Sequence, residues 1–69
     1  MDYDYQKMIL TLRNLLIMTQ EEFAILLGVS YASVNRWERG YHEPTTKIKR
    51  KIIELYKEHG IEPIMKEGN

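Results

Sequence analysis

The chain has 69 residues, a mass of 8.3 kDa and a formal net charge of zero, and 43% of its residues are apolar. This length fits one small domain with a small core, and because the chain contains no cysteine, disulfides are excluded as a source of stability. The longest apolar run, residues 23–27, is far shorter than the ~18 residues of a membrane span, and two histidines do not suffice for a structural zinc site.

The first predicted helix spans residues 5–17, with Asp4 as its N-cap. Its apolar residues recur at the three- and four-residue spacing of a single buried stripe. The residues of this stripe are Tyr5, Met8, Ile9, Leu12, Leu15 and Leu16. The sequence shows neither sustained apolar–polar alternation nor a hairpin-turn dipeptide, so we expect an all-α chain.

The second predicted helix begins at Thr19, where residues 19–22 (Thr-Gln-Glu-Glu) fit a capping box. In that arrangement the Thr19 hydroxyl and the Glu22 carboxylate each accept a hydrogen bond from an unpaired backbone N–H, which stabilises the helix by about 1 kcal/mol. Gly28 ends the helix because glycine adopts positive φ without steric cost. The inward-facing residues are Phe23, Ala24 and Leu27.

The third predicted helix has Ser30 as its N-cap and ends at Gly40. Val34 and Trp37 lie three positions apart and therefore share its buried face. A loop follows, in which Pro44 prevents the helix from continuing.

The fourth predicted helix is capped by Thr45 or Thr46 and ends near Gly60. Its buried stripe consists of Ile48, Ile52, Leu55 and Tyr56. We assign residues 1–60 to one domain and residues 61–69 to a C-terminal tail without clear periodicity. This tail is expected either to be partly ordered or to supply a fifth helix, and its apolar residues are Ile61, Ile64 and Met65.

Residues 19–44 combine two short helices with a tight connection, and their sequence is TQEEFAILLGVSYASVNRWERGYHEP. Small Ala24, four residues before Gly28, lets the third helix cross the second closely, as a helix-turn-helix requires. This segment resembles the phage-repressor and Cro-like (Xre-type) helix-turn-helix family of DNA-binding proteins. The resemblance covers about residues 5–56 and implies a compact four-helix, repressor-like domain. The matching positions are Thr19, Gln20, Phe23, Ala24, Leu27, Gly28, Val29, Ser30, Val34, Trp37, Glu38, Gly40 and Pro44.

The resemblance implies that the third helix enters the major groove of DNA and reads base edges there. The residues at the reading positions are Tyr31, Ala32, Asn35 and Arg36. Arg36 can donate two parallel hydrogen bonds to guanine, and we expect it to be the largest determinant of sequence preference. Asn35 suits adenine or a phosphate, whereas the Tyr31 ring and Ala32 can pack on a thymine methyl group.

Contacts with DNA phosphates are expected from residues around the reading helix. Gln20 matches a position that usually binds phosphate in the family, and its backbone N–H lies at a helix N-terminus, which attracts anions. Ser33 can contact either a phosphate or a base edge. The other residues expected to bind phosphate are Arg39, Tyr41 and Lys47.

Charge is unevenly distributed along this neutral chain. Residues 36–51 include six basic and two acidic residues, a local charge of +4, which suits a salt-sensitive DNA binder. The basic residues of the fourth helix also suit a merely solvated face, and they are Lys47, Lys49, Arg50 and Lys51. Separately, the resemblance implies that Arg13 and Glu38 form a partly buried, structural ion pair between the first and third helices.

The sequence departs from the family pattern at two places. Ile17 occupies a turn position that is often glycine, so we expect a tighter or more helical connection there. Ile25 and Leu26 replace residues that are usually polar and exposed, and extra apolar surface on a small domain indicates a contact. One interpretation is self-association, through either Ile25 and Leu26 or the apolar residues of the tail. The other is that the tail packs back onto the second helix.

We therefore predict a sequence-specific, repressor-like regulator of prokaryotic or phage type that binds double-stranded DNA. The resemblance implies a palindromic operator bound by a homodimer, with half-sites about one helical turn apart. We expect no cofactor and no enzymatic activity, because the sequence shows no nucleophile–base pair, glycine-rich phosphate loop or metal-ligand spacing. The lack of cysteine and of an export signal indicates a cytoplasmic protein. The alternative is a protein-interaction module, or an antitoxin-type partner-binding protein, on the same scaffold.

Overall fold

A computed structural model describes residues 2–67, and within this range the chain forms four helices. These are α1 (Tyr5–Leu15), α2 (Gln20–Leu27), α3 (Tyr31–Glu38) and α4 (Thr46–Glu58). The all-α helix-turn-helix architecture predicted from the sequence is confirmed, although residues 61–67 do not form a fifth helix. Residue 1 of the predicted domain and residues 68–69 of the predicted tail lie outside the described range.

One hydrophobic core receives side chains from all four helices. Its buried members are Met8, Ile9, Leu12, Phe23, Ala24, Leu27, Val34, Trp37, Ile48, Ile52 and Tyr56. Four predicted stripe residues differ from this pattern, since Leu15 is 51% exposed and Tyr5, Leu16 and Leu55 are only partly buried. Leu15 is the last residue of α1. The core also includes a buried hydrogen bond, in which the Tyr56 hydroxyl donates to the Met8 carbonyl over 2.8 Å.

The helix starts follow the predicted capping chemistry. The Asp4 carboxylate accepts from the Lys7 amide over 3.1 Å, and Thr19 and Glu22 form the complete capping box. Ser30 caps α3 by accepting from the backbone amide three residues later. Thr45 occupies the N-cap position of α4, but its side chain makes no capping hydrogen bond.

All four helices end in the same hydrogen-bond pattern, in which a residue with positive φ closes the last turn. In three helices this residue is a glycine, whereas α1 uses Ile17 at φ 55°. The Ile17 amide donates to the Asn14 carbonyl and the Met18 amide donates to the Arg13 carbonyl, each over 3.1 Å. The expectation of a tighter or more helical connection was therefore wrong. Ile17 reproduces the left-handed turn that glycine makes elsewhere, and α1 ends two residues earlier than predicted.

The main chain of the tail pairs with the N-terminal segment. The Asp4 amide donates to the Ile64 carbonyl over 2.7 Å, and the Lys66 amide donates to the Asp2 carbonyl over 2.9 Å. An isolated antiparallel bridge between Tyr3 and Met65 lies between these two hydrogen bonds. The main-chain pairing thus brings the two ends of the described chain together. No helix in residues 2–67 has the length and apolar character needed to cross a membrane.

Candidate nucleic-acid interface

The α2–α3 connection sets the crossing of the two helices. Gly28 adopts φ 73°, and the Val29 amide donates to the Ala24 carbonyl over 3.0 Å. Ala24 is almost fully buried, so α3 approaches α2 where the side chain is small. Beneath α3, Val34 and Trp37 belong to the core. The inner face of α3 is therefore held by packing at these two positions.

The outer face of α3 is open to solvent. Tyr31 is 51% exposed, Ala32 and Arg36 are exposed, and Asn35 is partly buried. Residues 61–67 of the tail pair with residues 2–4 and leave this face uncovered. Three of the four residues predicted to read bases are therefore accessible on one face of α3, and Asn35 lies at its edge.

Arg13 and Glu38 form a two-pronged ion pair between α1 and the last residue of α3. Arg13 Nε donates to Glu38 Oε2 over 2.6 Å, and Arg13 Nη2 donates to Glu38 Oε1 over 3.0 Å. The Glu38 side chain is only 6% exposed, and its hydrogen bonds raise the pKa of Arg13. Arg13 Nη1 also donates to the Met18 carbonyl in the α1–α2 turn. One guanidinium therefore links α1 both to the end of α3 and to the α1–α2 turn.

Gln20 and Asn35 extend this network towards the outer face. Gln20 Nε2 donates to Glu38 Oε1 over 2.8 Å, and Gln20 Oε1 accepts from Asn35 Nδ2 over 3.2 Å. The sequence predicts two separate DNA contacts at these positions and gives no signal for the hydrogen bond between them. Each amide still has an unused N–H for DNA, because a side-chain amide has two. The network holds both amides in one orientation.

The remaining residues predicted to bind phosphate lie at the edges of α3 and α4. The Ser33 hydroxyl is 3.0 Å from the Ser30 hydroxyl. The Arg39 guanidinium lies over the Tyr41 ring, 5.9 Å from its centroid, and both residues are exposed. Lys47 is exposed in the first turn of α4.

The acidic residues within the basic segment are neutralised by ion pairs. Arg13 pairs with Glu38, and Glu43 accepts from Lys49 Nζ over 2.8 Å and from Lys66 Nζ over 3.0 Å. These two lysines lower the pKa of the Glu43 carboxyl. Among the described residues, the cations of this segment that make neither an ion pair nor a side-chain hydrogen bond are Arg36, Arg39, Lys47 and Arg50.

Lys51 on α4 approaches the C-terminal end of α2. Its Nζ lies 3.4 Å from the Leu27 carbonyl at the end of α2. A cation there interacts favourably with the negative end of the helix dipole. Lys51 therefore links α4 to α2.

Ile25 and Leu26, the two apolar residues of α2 that depart from the family pattern, differ in exposure. Ile25 is 80% exposed, whereas Leu26 is partly buried and packs against the core. Leu26 thus needs no partner molecule to account for it. Self-association through Ile25 stays a prediction.

Gln6 contacts the C-terminal end of α3, and Lys66 contacts the loop that follows it. The sequence singles out neither residue. Gln6 Nε2 donates to the Glu38 carbonyl over 2.9 Å across 32 positions, and Lys66 reaches Glu43 across 23. Helical periodicity reports only neighbours within one helix, so it holds no signal for either contact.

Comparison with known proteins adds one match. A family model described as Helix-turn-helix matches residues 9–60, which include α2, α3 and α4 and most of α1. No curated protein and no solved structure gives a significant match.

Proposed function

The chain belongs to the Xre/Cro-like helix-turn-helix family, and we propose that it is a repressor-like transcriptional regulator that reads DNA sequence with α3 in the major groove. The observation that carries the proposal is the division of α3 into two faces. Val34 and Trp37 are buried, whereas Tyr31, Ala32 and Arg36 are open to solvent. A helix that is packed on one side and exposed on the other can enter the major groove without rearrangement.

Base recognition rests on the residues of the outer face. Arg36 is exposed and makes no ion pair among the described residues, so its guanidinium is available for guanine O6 and N7. The Tyr31 ring and Ala32 contact thymine methyl groups. Asn35, held by Gln20, directs its free amide atoms to an adenine or to an adjacent phosphate.

Phosphate binding rests on groups on either side of α3. The amide of Gln20 and the N-terminus of α2 bind one strand, because a helix N-terminus attracts anions. Arg39, Tyr41 and Lys47 bind the backbone at the other end of α3. Ser33 adds a phosphate or base-edge contact from the first turn of the helix.

The regulator acts as a homodimer on a palindromic operator. A domain of this size covers a single half-site, and two-fold related copies place their reading helices about 34–36 Å apart, one turn of DNA. Two half-sites multiply the specificity that one short helix can provide. Occupancy of such an operator blocks transcription from an overlapping promoter.

The proposal is tested by selecting bound duplexes from a random pool and titrating the enriched duplex and a scrambled duplex at two salt concentrations. We expect an enriched palindrome, and affinity that falls steeply as salt rises, because each phosphate contact releases counterions. Failure to enrich any duplex, or an affinity indifferent to salt, would refute the proposal and favour a protein-interaction module.

A further inference from the structure

Within residues 2–67, the backbone supplies no donor to one carbonyl at the C-terminal end of α3. The Gly40 amide donates to the Trp37 carbonyl and the Tyr41 amide to the Arg36 carbonyl, each over 3.1 Å. The Arg39 amide donates to the Asn35 carbonyl. This pattern closes the last turn but gives no backbone donor to the Glu38 carbonyl.

Gln6 supplies the missing donor from α1. Its side-chain Nε2 lies 2.9 Å from the Glu38 carbonyl oxygen. Gly40 makes room for this contact, because a Cβ at Gly40 would lie only 3.1–3.3 Å from three atoms of the Gln6 side chain. The absence of a side chain at Gly40 therefore serves the hydrogen bond as well as the positive φ of the turn.

The same residue of α3 has a second link to α1. Arg13 binds the Glu38 carboxylate, while Gln6 binds the Glu38 carbonyl. Gln6 and Arg13 are seven positions apart, which is about two helical turns, so they lie on one face of α1. Two separate contacts along that face hold the side chain and the main chain of Glu38, and they restrict both the position and the rotation of the end of α3.

We propose that Gln6 is a positioning residue for DNA reading, which aligns the reading helix through the Glu38 carbonyl without itself contacting a base. The inference rests on the function proposed above and deepens it. Arg36 lies less than one turn before Glu38, so the orientation of its side chain depends on how this end of α3 is held. Loss of the Gln6 hydrogen bond lets the helix end tilt while the core beneath stays packed.

The test compares Gln6→Met with Asn14→Ala at a temperature where both variants are fully folded. Methionine keeps the length of the side chain but has no donor, and Asn14 is another exposed polar residue of α1, with no side-chain hydrogen bond among the described residues. We expect Gln6→Met to raise the Kd for the pool-selected duplex about threefold to tenfold, the effect of one ordinary hydrogen bond. The Kd for a scrambled duplex and the slope of affinity against salt should stay within about twofold, because the phosphate contacts remain.

Amide hydrogen exchange gives a second readout that does not depend on DNA. Exchange of the Gly40 and Tyr41 amides should be several-fold faster in Gln6→Met than in the wild type, and unchanged in Asn14→Ala. The positioning role is overturned if the ratio of the Kd for the scrambled duplex to the Kd for the selected duplex is the same in Gln6→Met as in the wild type, even if stability falls. If the wild type selects no duplex, the proposed function fails instead, and unaltered exchange in Gln6→Met then overturns the structural part of the inference on its own.

Discussion

Asn35 Nδ2 donates a hydrogen bond to Gln20 Oε1 over 3.2 Å, which joins the outer face of α3 to the first residue of α2. Gln20 in turn donates to the Glu38 carboxylate, which also accepts from Arg13 of α1. A proposed base-reading residue therefore belongs to the same polar network that holds three helices together. Variants of this network should change DNA binding and folding together, whereas Arg36 and Lys47 lie outside it.

Arg36→Ala and Lys47→Ala should separate base reading from phosphate binding. Arg36→Ala is expected to reduce discrimination between the selected and scrambled duplexes by about 1–3 kcal/mol, because a bidentate guanine contact is lost. Lys47→Ala should weaken binding to both duplexes alike and lower the slope of log affinity against log salt concentration by about one. Titrations of both variants on both duplexes provide the measurement. Equal weakening of the two duplexes by Arg36→Ala would show that Arg36 contacts phosphate.

Glu38→Gln should destabilise the fold strongly. The Glu38 side chain is 6% exposed and that of Arg13 is 19% exposed, so the substitution leaves a partly buried guanidinium without its counter-charge. We expect a loss of about 2–4 kcal/mol in the free energy of unfolding, somewhat below the cost of breaking a fully buried pair. Urea denaturation measures this loss. As a control, the Arg13→Met/Glu38→Gln double variant should lose much less than the sum of the two single variants.

Ile17→Gly should stabilise the protein although it removes an isoleucine. Ile17 has φ 55° and is 89% exposed, so its side chain buries little surface while its backbone is in a conformation that β-branched residues resist. Relief of that strain exceeds the entropic cost of glycine, and we expect a gain of about 0.5–1 kcal/mol.

Ile25→Gly is the matched control for this substitution. Ile25 is 80% exposed but lies inside α2, where glycine costs about 1 kcal/mol relative to a helix-forming residue. Thermal unfolding should therefore give shifts of opposite sign for the two variants. A loss of stability in Ile17→Gly would mean that the side chain makes a stabilising contact.

Stability should fall at alkaline pH through Tyr56. Burial raises the pKa of Tyr56 from its ordinary value of 10.0 to about 12, and its hydroxyl donates to the Met8 carbonyl. The folded state thus keeps this proton more tightly than the unfolded state, so the contribution is complete below pH 10 and is lost as the pH rises through 12. A pKa difference of this size corresponds to roughly 3 kcal/mol.

Tyr56→Phe identifies the group responsible. This variant should lack the late step in a tyrosinate absorbance titration, and its stability should depend less on pH in the alkaline range. Persistence of the late step in Tyr56→Phe would assign it to another tyrosine, such as Tyr5, whose pKa burial also raises.

Helix positions and caps could be predicted because they depend on residues close together in the chain. Asp4, Thr19 and Ser30 each accept a hydrogen bond from an amide three residues later, a relationship that is visible in the order of residues alone. The predictions for Leu15 and Ile17 failed because periodicity and the family pattern do not report the tertiary surroundings of a side chain or the φ angle at which a helix ends.

By itself, the sequence determined the four helices, the helix-turn-helix connection at Gly28 and the separation of α3 into a buried and an exposed face. Those features follow from periodicity and from local capping, which operate within a few residues. Only the tertiary structure decided that Gln6 meets the Glu38 carbonyl and that Lys66 meets Glu43. Such contacts join side chains far apart in the chain, and they form only after the core has set the angles between the helices.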